Sequence, residues 1–329
     1  MRDKINIVAI VWFIVMALFL PESGKAAVPY KDCEGCHVLF AGLKGKGARK
    51  KQDALCVNCH TNAGGETIKM IGDIRIPIVN NTEAPLKPLA GGNFYYVSRL
   101  GSRKGHNVGD ITPPDTKFIG LPPGYDSSYD ASSIKYNDKK PLACAGSNGC
   151  HGNRNIESPF QAISGAHHGD DAPPLDGSTI SKSYRFLKIT DAVKGVTGLE
   201  DEDWGQNSTS IKHNEYSALM SALCRNCHGD FHGKSSEKVW FRHPVGVTLP
   251  DRGEYKNYTT YNPNTPVGRT VIPGAASSTV TPGLDVVICL SCHVAHGGPN
   301  DSMLRWNFSD FVAGKGSQNG CFICHSKKK

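Results

Sequence analysis

Long, regular alternation is rare in this chain, and its apolar positions fall into a few short blocks. The longest block is Ile5 to Leu20, almost unbroken, with Arg2 and Lys4 ahead of it and Pro21-Glu-Ser-Gly-Lys-Ala-Ala27 behind it. A basic start, a short apolar run and small residues predict an export signal, residues 1–26, cleaved after Ala26 or Ala27. Sixteen residues are short for a membrane span, which takes about 20, and an uncleaved anchor is the alternative. The cleavage region holds no cysteine, which argues against a lipid anchor. No other segment is apolar enough to cross a membrane. Further on, Thr67 to Pro77 alternates weakly and predicts a strand. Asn214 to Leu223 has helical spacing and predicts a short helix leading into Cys224. Residues 112–142 and 250–284 are rich in turn-forming residues and read as loops. The pattern as a whole predicts a mostly irregular, loop-rich fold with a few short α-helices and minimal β-structure.

Cysteine placement changes this picture. Cys33-Glu-Gly-Cys36-His37 recurs as Cys56-Val-Asn-Cys59-His60, Cys224-Arg-Asn-Cys227-His228, Cys289-Leu-Ser-Cys292-His293 and Cys321-Phe-Ile-Cys324-His325. A stretched copy is Cys144-Ala-Gly-Ser-Asn-Gly-Cys150-His151. All twelve cysteines fall into these pairs. C-x-x-C-H is the attachment sequence of c-type haem. Two thiols form thioethers with the porphyrin, and the following imidazole turns onto the iron. The small, turn-forming insert of the stretched copy can bulge outward and leave its two sulfurs in place.

Two rival readings explain less. Six disulfides would suit a secreted chain but not a histidine after every second cysteine. A zinc ribbon would suit the spacing of Cys33–Cys36 and Cys56–Cys59, yet zinc has no use for six following histidines. For the stretched copy a local Cys144–Cys150 disulfide is the alternative.

Composition agrees with a cofactor-centred core. Only 39% of 329 residues are hydrophobic, with 36 glycines and 20 prolines, which is thin for a core of this length. Six porphyrins would supply the missing apolar surface. Formal net charge is +7; signal cleavage removes Arg2, Lys4 and Lys25 against Asp3 and Glu22, leaving about +6. Twelve haem propionates would turn that to about −6, so the basic excess compensates cofactors and does not mark a nucleic-acid site. The motifs divide the chain into a two-haem region (27–111), a middle region with the stretched site (112–213) and a three-haem region (214–329).

Seven of the thirteen histidines remain for the other face of each iron: His106, His167, His168, His213, His232, His243 and His296. Met70, Met220 and Met303 are the thioether alternatives. Bis-histidine ligation lowers the potential relative to Met/His, so a low-potential protein is expected. His296 lies three residues after His293 and His232 four after His228; so short a connection cannot pass around a porphyrin. Their Cα atoms are at most ~3.6 Å per residue apart, or about 11 Å for His293 and His296. Each must serve a different haem, and the two haems must lie side by side. His167 and His168 are adjacent: both bind, or one binds and the other supports. If both bind, one of the other five is free, and a free one could ligate a haem of a neighbouring subunit.

These stretches carry a family likeness. Lys104-Gly-His-Asn-Val, the stretched motif with Gly152, Ser164-Gly-Ala-His-His-Gly-Asp, Leu223-Cys-Arg-Asn-Cys-His, Arg242-His-Pro-Val-Gly and Cys289-Leu-Ser-Cys-His-Val-Ala-His-Gly-Gly resemble the multihaem c-type cytochromes of dissimilatory metal-reducing bacteria, of the doubled-CXXCH kind. The resemblance implies proximal ligands at His37, His60, His151, His228, His293 and His325. It also implies that His296, in C-H-x-x-H, serves a neighbouring haem. It implies an electron carrier of the periplasm or outer surface, with other multihaem cytochromes, quinol-linked donors or outer-membrane conduits as partners; some members polymerise into haem-lined filaments. A reductase with one open iron is the catalytic rival. The C-x-x-C-K that often marks such an iron is absent from the sequence.

Overall fold

Turns dominate because glycine, proline and short polar residues interrupt nearly every apolar block. The computed structural model describes residues 53–115, 121–125, 140–165, 168, 175–189, 195–206, 208–229, 231, 242–316 and 320–328. Among them α1 (Asp53–His60) leads into β1 (Thr61–Asn62). The stretch expected as one strand is a hairpin, β2 (Ile68–Ile71) antiparallel to β3 (Ile74–Pro77), with Ile71 opposite Ile74. Gly72, at φ +58°, supplies the left-handed residue that a two-residue turn requires. β4 (Asn80–Asn81) returns beside β1 in parallel. The helix α2 (Tyr95–Leu100) follows, and its Val97 packs with Phe94 and Val108.

β5 (Ala143–Ala145) and β6 (Gly149–His151) pair in parallel across the stretched motif, and α3 (Pro159–Ala162) follows, capped by Ser158. Next come β7 (Gly198–Leu199), β8 (Glu215–Ser217) and α4 (Met220–His228). β9 (Val247–Thr248), β10 (Gly268–Arg269) and β11 (Val286–Val287) complete a five-stranded sheet of order β7-β8-β10-β11-β9. α5 (Cys321–Cys324) lies near the end. The sheet crosses the boundary expected at 213/214, since β7 pairs with β8.

Alternation of side chains along a strand splits the core in two. Val286 joins Tyr184, Leu187, Val196, Tyr216 and Ile288 on one side. Val287 joins Leu249, Tyr258, Tyr261, Val267 and Val280 on the other. Each fully buried aliphatic side chain contributes about 1.5–3 kcal/mol.

The helix expected from Asn214 begins only at Met220, and residues 215–217 are strand. Charge explains the difference. Glu215 is fully buried; its carboxylate accepts from Arg269 Nε at 2.7 Å and from the Ser277 amide at 2.7 Å. Arg269 Nη1 donates to Asp285 at 2.7 Å. A buried carboxylate cannot give up such partners without a large desolvation penalty. That ties β8 alongside β10 against its helical spacing.

Candidate haem sites

Helical turns present the regular motifs. Residues three apart lie on one helix face, which puts Cys56 with Cys59 in α1 and Cys224 with Cys227 in α4. His60 and His228 close those helices. Cys289 opens a 3-10 turn, Cys289–Ser291, with Cys292 and His293 directly after it, and α5 carries Cys321 and Cys324 ahead of His325. The stretched motif reaches the same end without a helix. β5 pairs with β6 in the register Ala143–Gly149 and Ala145–His151, so Cys144 and Cys150 lie on adjoining strands. The insert folds on itself through Gly149 N–H to Gly146 O at 3.0 Å and Ala143 N–H to Asn148 O at 2.9 Å. A Cβ on Gly149 would stand 2.5 Å from the Ala145 backbone. None of the ten described cysteines is joined in a disulfide.

Each described motif histidine has an acceptor for Nδ1. The partners are the carbonyls of Pro77 for His60 (2.7 Å), Arg185 for His151 (2.8 Å), Pro123 for His228 (2.8 Å) and Ser302 for His293 (2.8 Å). For His325 the partner is Glu254 Oε1 at 3.2 Å. With Nδ1–H donating, the lone pair sits on Nε2, the tautomer a metal ligand needs.

Four of these imidazoles face a spare one. Ring centres lie 6.0 Å apart for His60 and His168, 6.2 Å for His151 and His296, 6.1 Å for His106 and His228, and 6.1 Å for His243 and His325. A metal–nitrogen bond of about 2.0 Å on each side, plus about 1.1 Å from nitrogen to ring centre, gives about 6.2 Å. The gaps therefore fit one iron each, held by two imidazoles. The histidines meet in twos; no group of three or more His, Cys, Asp or Glu that could hold an ion occurs among the described residues. Burial, the main cause, lowers His106 to about 4 and His296 to about 3. Both are neutral, the form that ligates.

Residues 284–329 match the family described as doubled CXXCH motif. The chain is 27% identical over 370 aligned positions to the C-type cytochrome OmcS of Geobacter sulfurreducens, covering 89% of this chain and 82% of that one. The chain is similar to multihaem c-type cytochromes of the doubled-CXXCH kind. Two solved structures from the same organism are also similar. One is an outer membrane cytochrome S filament, 20% identical, with a TM-score of 0.44 over 78% of this chain and 75% of that one. The other is a cryo-EM structure of OmcS nanowires, 20% identical, with a TM-score of 0.49 over 77% and 74%.

Thiols of successive motifs are neighbours. Cys150 is pushed to about 11 by burial and then by nearby Cys227. Cys224 donates to Met220 O at 3.7 Å, and its neighbouring thiol lowers Cys289. Cys292 is raised to about 11 by burial and by Cys321, and Cys324 to about 12 by burial and by Cys292. Buried donors near these motifs lack partners: Arg154 Nε, Asn214 Nδ2 and Arg305 Nη2. Arg154 also reaches Cys227 Sγ at 3.6 Å, and Arg305 holds Leu290 O at 2.7 Å through Nε. Asn214 and Arg305 line one cavity of about 320 Å³ together with Tyr216, Val294 and Leu304. Unpaired cationic and amide donors beside apolar side chains fit a porphyrin with carboxylate arms.

His213 is placed elsewhere. Its ring lies flat on Tyr261, 3.6 Å between centres at 8°. Its nitrogens meet Asn214 O at 3.0 Å and Ser277 O at 3.2 Å. It faces no motif histidine among the described residues. Cys33, Cys36, His37, His167 and His232 lie outside the described residues. Sequence reasoning missed Glu254, Arg154 and Arg305, because nothing local links them to a motif. No helix of the described residues is long and apolar enough to cross a membrane.

Proposed function

We propose that this cytochrome is an electron-transfer protein that carries six covalently attached haems c and transforms no substrate. The four facing imidazole pairs carry the reading. His168 would complete the iron of Cys56–Cys59, His296 that of Cys144–Cys150, His106 that of Cys224–Cys227 and His243 that of Cys321–Cys324. For the remaining irons, at Cys33–Cys36 and Cys289–Cys292, the sequence leaves His167 and His232, with His213 as the spare. Bis-histidine ligation on both faces leaves no open coordination position and favours low potentials. Haem supplies the reversible one-electron chemistry. The chain's own residues hold the ring by two thioethers, fix each imidazole tautomer through Nδ1, and exclude water.

Neighbouring thiols from Cys150 to Cys324 support a row of haems in sequence order. Electrons enter at one exposed edge and leave at another, exchanged with other multihaem cytochromes, quinol-linked donors or outer-membrane conduits. The protein is exported and works in the periplasm or at the cell surface. A homopolymer is a second reading, favoured by likeness to OmcS, whose nanowires are named above; negative-stain microscopy of purified protein tests it.

Pyridine haemochrome and intact mass should give six haems per chain, and the oxidised protein should be low-spin throughout, with weak carbon monoxide binding when reduced. A substantial high-spin signal, stoichiometric carbon monoxide binding and catalytic nitrite reduction would replace the carrier by a reductase.

A further inference from the structure

Among the described motif histidines, one is held differently from the other four. Four described motif imidazoles give Nδ1 to neutral backbone carbonyls, whereas His325 gives it to the Glu254 carboxylate. A hydrogen bond to an ionised acceptor is roughly twice as strong as a neutral one. It draws the Nδ1 proton away from the ring and makes Nε2 a more basic ligand. A more basic ligand favours ferric over ferrous iron and lowers the potential.

Glu254 is also built into its place. Its Oε2 accepts from the Lys327 amide at 2.7 Å, and its own carbonyl accepts from Ser326 Oγ at 3.2 Å. Asn257 Nδ2 donates to that same Ser326 Oγ at 2.7 Å. The turn Gly253–Asn257 thus grips the residues that follow His325, and the edge of Tyr255 packs on its ring at 5.3 Å. Side-chain exposure is 11% for Glu254 and 23% for His325, so solvent dilutes the interaction little.

We infer that Glu254 is a positioning residue that lowers the potential of the Cys321–Cys324 haem and makes the C-terminal end of the row its reducing end. The inference rests on the axial pairing proposed above. It implies a direction: electrons arriving at this haem move toward sites whose ligands meet neutral acceptors.

The test is an EPR-monitored redox titration of the full-length holoprotein. His243→Ala identifies the haem, since its iron alone should turn high-spin. Glu254→Gln should leave every iron low-spin and shift that one component to higher potential, with the others unmoved. Asn257→Ala loosens the Ser326 clamp while keeping the carboxylate, and should not produce the shift; an equal shift there would make the role merely structural and overturn the inference. Unchanged potentials in Glu254→Gln, with ligation intact, would also overturn it while leaving the axial pairing standing. If His243→Ala opens no iron, the pairing fails and the inference with it. Should Glu254→Gln lose the haem, Glu254→Asp is read instead, with a smaller shift in the same direction expected and no shift counting against the inference.

Discussion

His296 is half-buried and His213 buried; both are imidazoles in a chain rich in haem motifs, yet their surroundings are opposite. His296 stands 6.2 Å from His151 across a gap, and its buried Nδ1 has no hydrogen-bond partner. His213 is 2% exposed, pressed onto Tyr261 at 3.6 Å, with both nitrogens beside carbonyls. One ring faces space that an iron would fill, and the other is already satisfied. Supply of histidines therefore does not select ligands. What selects them is an unfilled gap opposite a motif histidine.

The strongest way to break this comparison is to remove the haem beneath His296. Gly149→Ala puts a methyl 2.5 Å from the Ala145 backbone, forcing the strands apart and the two thiols out of reach. Intact mass should fall from six covalent haems to five, and full loading would defeat the account of the stretched loop.

A smaller change sharpens the ligand assignment. His296→Ala should keep all thioethers but open the iron of Cys144–Cys150. EPR should then report one high-spin haem of raised potential, and reduced protein should bind one equivalent of carbon monoxide. A high-spin signal from the Cys289–Cys292 haem instead would reject the pairing with His151.

The mildest variant addresses the other histidine. His213→Phe retains an aromatic ring against Tyr261 but gives up the imidazole N–H bond to a backbone carbonyl, a cost of about 1–3 kcal/mol in unfolding free energy. Denaturant titration should show that loss while the spectrum stays low-spin. Any iron becoming high-spin would return His213 to the ligands.

Local chemistry was legible in the sequence. Twelve cysteines in C-x-x-C-H spacing, or one stretched relative of it, announce covalent haem because two thioethers and one ligand come from a single short turn. The sparse, loop-rich fold was legible for the same reason, since glycine and proline act where they stand. The region of Thr67 to Pro77 was read as extended but not as folded back, because only Gly72 marks the turn. Asn214 to Ser217 misled because a helical spacing of apolar residues says nothing about Arg269, whose guanidinium pairs with Glu215 from a distant strand.

By itself the sequence determined which cysteine pairs carry the haem-attachment spacing, which imidazole follows each pair, and that the three-residue connection from His293 to His296 is too short to pass around a porphyrin. Only the tertiary structure decided which histidine stands opposite which, that His213 stacks on Tyr261, and that a carboxylate backs His325. The physical reason is reach. A tether closes within one turn of chain, whereas the second ligand must come from the far side of a flat ring, as His168 comes to His60 from more than a hundred positions along the chain.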